Sequence, residues 1–169
     1  MTSQAAPKQD PSPPDRGQVL HDLLKLSNRL MAPFSTHLSA RYKISLNEFR
    51  LLMSIGKLGT AASHELAEQT GVNVMSVSRA VATLERHGRI TVAPDPANRR
   101  RKVLQLTAEG RELYEIMRPQ TGKVVDYLFS RLDEDDVATL GRIMGVLIDT
   151  LEARDQQGRS RFIEETKPD

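Results

Sequence analysis

The residues with the most chemistry to offer lie in two neighbouring stretches. In the first, Val74 to His87 reads as a helix with Val77, Val81 and Leu84 on one side, Met75, Arg79 and Arg86 on the other, and Ser76 and Thr83 beside them. Asn73 precedes it, and Gly71-Val72-Asn73 reads as a turn whose asparagine can cap free amides. In the second stretch, Asn98, Arg99, Arg100, Arg101 and Lys102 follow Pro94-Asp95-Pro96-Ala97. The chemistry is hydrogen bonding and charge, not bond making. Asn73 or Arg79 can meet a base edge through paired hydrogen bonds, Met75 can meet a thymine methyl, and Ser76 can donate to base or phosphate. Adjacent cations at a tight turn repel one another without a nearby anion, and a flat guanidinium fits a narrow, strongly negative minor groove. Together the two stretches point to double-stranded DNA, the simpler alternative being solvated polar surface.

Charge placement agrees with that partner. The net charge of the 169-residue chain is only +2, yet Arg86, Arg89, Arg99, Arg100, Arg101 and Lys102 face only Asp95 in their segment, a local balance of +5. The acidic excess lies elsewhere, notably in Asp133-Glu134-Asp135-Asp136. The chain has no cysteine, which excludes disulfides, thiolate metal sites and a thiol switch. Its four histidines, His21, His37, His64 and His87, lack close ligand spacing, so neither metal nor cofactor is expected. With no nucleophile beside a plausible base and no phosphate loop, the expectation is a non-enzyme with no catalytic residues. No apolar run approaches the ~20 residues of a bilayer span, and the polar start is unlike a secretory signal, so a cytoplasmic protein with no membrane partner is expected.

The elements that must position these residues follow from periodicity and caps. Ile90 and Val92, then Leu104 and Leu106, alternate with smaller or polar neighbours and predict a hairpin whose tip is the basic turn. Ser45-Leu46-Asn47-Glu48 fits a capping box, opening a helix with Leu46, Phe49, Leu52 and Ile55 on one face and an end near Gly59. A short helix beginning between Thr60 and Ser63 and reaching about Gln69 supplies the first half of a helix-turn-helix. Helix followed by basic hairpin is a winged helix-turn-helix signature.

Outside that segment, Met1 to Gly17 is proline-rich and polar and reads as a flexible arm. From Val19 to Tyr42, Leu20, Leu24, Met31, Phe34 and Leu38 recur at helical intervals, with a kink or break expected at Pro33. Thr107 is the expected cap of a helix carrying Leu113, Met117, Val124 and Leu128, which Pro119 should bend or interrupt. Asp133 begins the last helix, where Val137, Leu140, Met144, Leu147 and Leu151 step by three and four and make a narrow seam for another helix. These stripes are too long for a small winged core to cover, so a shared helical interface in a homodimer is expected, a monomeric bundle being the alternative. The fold class is therefore mainly α (α+β). A single domain spans 18–155, with its winged helix-turn-helix at 45–107 and dimerisation helices at 18–42 and 108–155. The arm occupies 1–17, and a mobile or partner-docked tail 156–169.

Leu66-Ala67, Gly71-Val72, Met75-Ser76-Val77-Ser78-Arg79, Leu84-Glu85-Arg86-His87-Gly88, Asp95 to Arg101 and Leu106-Thr107-Ala108-Glu109-Gly110 resemble the multiple antibiotic resistance regulator (MarR) family over roughly residues 45 to 115. The resemblance implies an α-helical dimer with two winged domains, repression of nearby genes, and release by small phenolic or aromatic carboxylate ligands. By position Arg100 would be the minor-groove arginine. The family usually has an acid just before the wing arginines, ordinarily paired with an arginine such as Arg79, and Asn98 stands in that place here. An amide only hydrogen-bonds, so a more loosely held wing with greater net attraction for phosphate is expected.

The DNA-binding set is thus Asn73, Met75, Ser76, Arg79, Arg86, Asn98, Arg99, Arg100 and Arg101. For an anionic effector held where dimer helices meet the winged domain, His21, Arg29, His37, Arg41 and Arg50 are candidates, with Phe34 or Tyr42 as an apolar wall. The expected function is a ligand-responsive DNA-binding regulator acting as a repressor on a pseudo-palindromic operator. The alternatives are a constitutive or architectural DNA-binding protein without effector, and a winged module that binds protein.

Overall fold

Asp15 accepts hydrogen bonds from the amides of Gly17 and Gln18 and so starts helix α1 (Arg16–Tyr42). The structure is a computed structural model and describes residues 15–95 and 102–168, apart from the side chain of Pro33. The chain divides into two compact units, one ending at Glu115 and the other beginning at Ile116.

In the first unit α1 is followed by α2 (Leu46–Leu58), β1 (Thr60–Ala61), α3 (Ser63–Thr70), α4 (Val74–Arg86), β2 (Ile90–Pro94), β3 (Lys102–Leu106) and the first turns of α5 (Ala108–Leu128). The capping box of α2 forms as its sequence predicts: Ser45 Oγ accepts from the Glu48 amide while the Glu48 carboxylate accepts from the Ser45 amide. Strands β2 and β3 pair antiparallel, with Ile90 opposite Leu106 and Val92 opposite Leu104. The central strand of the three-stranded sheet is β3, because β1 pairs along its other edge through Thr60 and Ala61. The sequence pattern gave no sign of β1, since two residues are too few to show alternation.

Leu51, Leu52 and Ile55 of α2, Leu66 of α3, Val77 and Leu84 of α4, Ile90 of β2 and Leu104 of β3 are the fully buried centre of this unit. Each large aliphatic side chain so buried contributes about 1.5–3 kcal/mol relative to exposure. The helix-turn-helix is therefore a face of a packed core, which fixes where its outward residues point.

In the second unit Asp133 caps α6 (Glu134–Glu152), accepting from the Asp136 amide at 2.8 Å. Acids at Glu134, Asp135 and Asp136 lie at the positive end of its dipole, as expected. No residue of α6 is buried. Val137, Leu140, Ile143, Met144, Leu147 and Leu151 all stay exposed. No helix among the described residues is long and apolar enough to cross a membrane.

Three expectations need correction. Pro33 and Pro119 do not break their helices: α1 is assigned unbroken to Tyr42, and α5 carries Pro119 in its interior. A proline removes one donor from the ladder, and the φ it enforces is itself close to helical, so a long helix can run through it. The arm ends earlier than Gly17, since Arg16 and Gly17 are already in the first turn of α1. The tail also carries a turn and a helix of its own. Asp155 accepts from the amides of Gln157 and Arg159 and from Arg159 Nε, closing a turn at Gly158, after which α7 (Arg161–Thr166), capped by Ser160, packs against α6.

Candidate nucleic-acid interface

Two short helices joined by a turn hold the candidate face. Gly71 ends α3 with φ 65°, a left-handed conformation that glycine adopts without strain. Val72 then buries, and Asn73 caps α4 by accepting the Ser76 amide at 2.9 Å. The cap uses the amide oxygen of Asn73, so its NH₂ is what remains to donate outward. Val77, Ala80 and Leu84 turn into the core, whereas Val81 is only partly covered.

The opposite face of α4 is open. Met75 is 67% exposed, and Ser78, Arg79, Ala82 and Arg86 follow it at helical intervals, all exposed. This stripe contains three of the expected contact residues and adds Ser78 and Ala82, which pattern reading passed over as small residues without a distinctive chemistry. Arg86 donates to Thr83 Oγ1 at 3.3 Å, a weak local bond that leaves it on the outer surface. Among the described residues no carboxylate pairs with Arg79. Ser76 is half-buried on the flank of the helix, where Ser45, Asn47, Glu48, Ser76, Arg79, Ala80 and Thr83 line a shallow cavity of about 190 Å³. The start of α2 thus stands beside the start of α4. Ser45 and Asn47 join Arg79 only through this tertiary packing, and nothing in their own sequence neighbourhood announced it.

The base of the hairpin is described, with exposed Lys102 opposite Pro94. Asn98, Arg99, Arg100 and Arg101 lie outside the described residues. Arg89 does not belong to the outward charge: its guanidinium donates to the Tyr42 carbonyl at 3.0 Å and the Lys43 carbonyl at 3.1 Å.

The effector candidates are spread along α1 and onto α2. His21 and Arg29 are exposed on α1, and Arg41 stands 5.7 Å above the Tyr42 ring. Phe34 packs on Phe49 with ring centres 5.4 Å apart, and Arg50 reaches Asn47 Oδ1 at 3.5 Å and Met31 Sδ at 3.2 Å. His37 is exposed on α1 and has a partner of its own. A cavity of about 590 Å³ lies elsewhere, between α6 and α7, lined by Val146, Thr150, Phe162 and Glu165 among others.

Residues 44–102 match the model of the MarR family. An uncharacterised HTH-type transcriptional regulator of Bacillus subtilis, YwaE, is 22% identical over 133 residues, 79% of this chain and 78% of that protein. Among solved structures, Streptomyces coelicolor Sco3205, a MarR family regulator in complex with DNA, aligns with a TM-score of 0.73 at 22% identity, over 86% of this chain and 94% of its own. Bordetella bronchiseptica BpsR, whose structure concerns regulation of its DNA binding by 6-hydroxynicotinic acid, aligns with a TM-score of 0.65 at 23% identity, over 77% of this chain and 98% of its own.

Proposed function

We propose that this chain, whose residues 44–102 match the MarR family model, is a DNA-binding transcriptional regulator acting as a cytoplasmic homodimeric repressor that a small aromatic or phenolic acid releases from its operator. The observation that carries the DNA half is the exposed stripe of α4. Met75, Arg79 and Arg86 stand out from a helix whose other face is locked in the core. A major groove about 12 Å wide admits such a helix, and residues near its start reach base edges. Asn73 and Ser76 flank that start. Asn98, Arg99, Arg100 and Arg101 extend the footprint to the adjacent minor groove, with Ser45, Asn47 and Thr83 available to phosphate beside Arg79.

Dimerisation is supported by what the chain leaves uncovered. A 19-residue helix with no buried residue and an apolar seam stepping by three and four is suited to a second copy of itself. On α1, Val19, Leu20, Leu24 and Leu26 are likewise more than half exposed. Two reading helices related by a twofold axis read half-sites one helical turn, about 34 Å, apart on one face of a duplex.

For the effector, BpsR, whose DNA binding 6-hydroxynicotinic acid regulates, is a precedent among similar structures, and His21, Arg29, Phe34, His37, Arg41, Tyr42 and Arg50 are the groups offered to an anion with an aromatic ring. Release works only to the extent that the ligand binds the wrongly spaced dimer more tightly than the DNA-competent one. The test combines two titrations: affinity for the DNA upstream of the chain's own gene against random DNA over a range of salt, then the same complex with aromatic acids added. Strong sequence preference that an acid abolishes is expected. Equal affinity for both DNAs at every salt concentration would reduce the protein to a phosphate binder. Sequence preference that no acid perturbs, with no acid giving the ~2.7 kcal/mol stabilisation expected at about 100 times its Kd, would remove the effector and leave a constitutive DNA-binding protein.

A further inference from the structure

The turn between α4 and β2 joins three parts of the first unit at a single residue. Helix α1 ends with Lys43 in the left-handed conformation, φ 52°, its amide turned back to the Leu38 carbonyl. That ending leaves the carbonyls of Tyr42 and Lys43 without helical partners, at the negative end of a 27-residue helix. Arg89 fills both vacancies, its two terminal nitrogens each donating to one carbonyl across a sequence gap of more than forty residues. A guanidinium is suited to this: it is always charged, planar, and forked, so one side chain fixes both a distance and an angle.

The backbone of the same residue holds a second helix. The Arg89 carbonyl accepts the Thr107 amide at 3.1 Å, and Thr107 Oγ1 donates to the Gly88 carbonyl at 2.6 Å while accepting the Gly110 amide as the cap of α5. The fit leaves no slack, because a Cβ on Gly110 would overlap the Arg89 carbonyl oxygen. The end of α1, the beginning of α5 and the root of the hairpin therefore meet at Arg89.

We infer that Arg89 is a positioning residue for DNA recognition: it sets the angle between α1 and the reading unit, and thereby the separation at which a dimer presents its two reading helices. This rests on the dimeric reading above, in which α1 contributes to the subunit interface. Arg89 touches no DNA in this role. Removing it loosens the geometry without subtracting a phosphate contact.

The experiment uses full-length protein and a set of duplexes carrying two half-sites at the preferred spacing or with one or two base pairs inserted or deleted. The native protein is expected to favour one spacing by about tenfold or more. Arg89→Met is expected to cut that preference to about threefold or less, with random-DNA affinity and the slope of log affinity against log salt unchanged. A uniform loss across all duplexes, with the salt slope falling by about one, would make Arg89 an ordinary phosphate contact and overturn the inference. Full retention of spacing preference overturns it as well. If Arg89→Met does not fold, Arg89→Lys decides, since it keeps the charge but not the fork: an intermediate preference supports positioning, and an undiminished one refutes it. A native protein indifferent to spacing would instead sink the dimeric reading, and this inference with it.

Discussion

Helices α4 and α6 are both amphipathic, yet the apolar face of one is buried within its own unit and the seam of the other lies exposed. Val77, Ala80 and Leu84 of α4 are buried among α2, α3 and the sheet, and the face carrying Met75, Arg79 and Arg86 meets solvent. On α6 the seam from Val137 to Leu151 is as regular, and no residue of it is buried. The difference separates two uses of the same pattern. A helix whose apolar side is consumed inside its own unit can offer the other side to a ligand with fixed geometry. A helix whose apolar side is left over carries unspent hydrophobic free energy, about 25 cal/mol per Å² of apolar surface, that a second subunit can recover.

Truncation on the two seams should break the comparison most visibly. Leu84→Ala removes a side chain with no exposed surface and is expected to destabilise the first unit by about 2–5 kcal/mol, read from denaturant unfolding. Leu140→Asp combined with Leu147→Asp is expected to leave the winged unit folded but convert dimer to monomer in sedimentation, weakening subunit affinity by at least about 2 kcal/mol. If the double variant unfolds the isolated subunit, the seam of α6 belongs to a monomer core and the contrast with α4 disappears.

A smaller change sharpens the claim about the outward face. Arg79→Ala should leave the melting temperature within about a degree of native, since surface changes shift stability by roughly ±0.5 kcal/mol or less. Affinity for the operator should nevertheless fall by about 1–3 kcal/mol, measured by fluorescence anisotropy. Loss of affinity accompanied by equal loss of stability would assign Arg79 to the fold instead.

The smallest expected effect lies in the tail. The hydrogen bond from the Arg159 backbone, opposed by desolvation and reinforced by the Arg159 side chain, the Gln157 amide and the charge of Arg161, holds the Asp155 carboxyl below its ordinary range. A depressed carboxyl supports the turn at pH values above its unfolded value and stops doing so as pH falls through the folded one. The Arg159 amide resonance should therefore move in acid with a midpoint below that of an ordinary aspartate, and Asp155→Asn should abolish the transition while leaving the winged unit untouched.

What could be read from the chain alone was whatever is decided within a few residues. Ser45, Asn73, Thr107 and Asp133 cap their helices because a short polar side chain reaches amides two or three residues on, a matter of local geometry. The hairpin strands and the buried side of α4 follow from periods of two and 3.6 residues in the same way. Tertiary packing decided the rest. Two-residue β1 exists because β3 offers it an edge, and Ser45 lies beside Arg79 because α2 packs on α4. Arg89 is the clearest instance. Its neighbours in sequence are those of a basic cluster, but the carbonyls that claim it lie more than forty residues upstream, and a long-range hydrogen bond leaves no local signature in the chain that forms it.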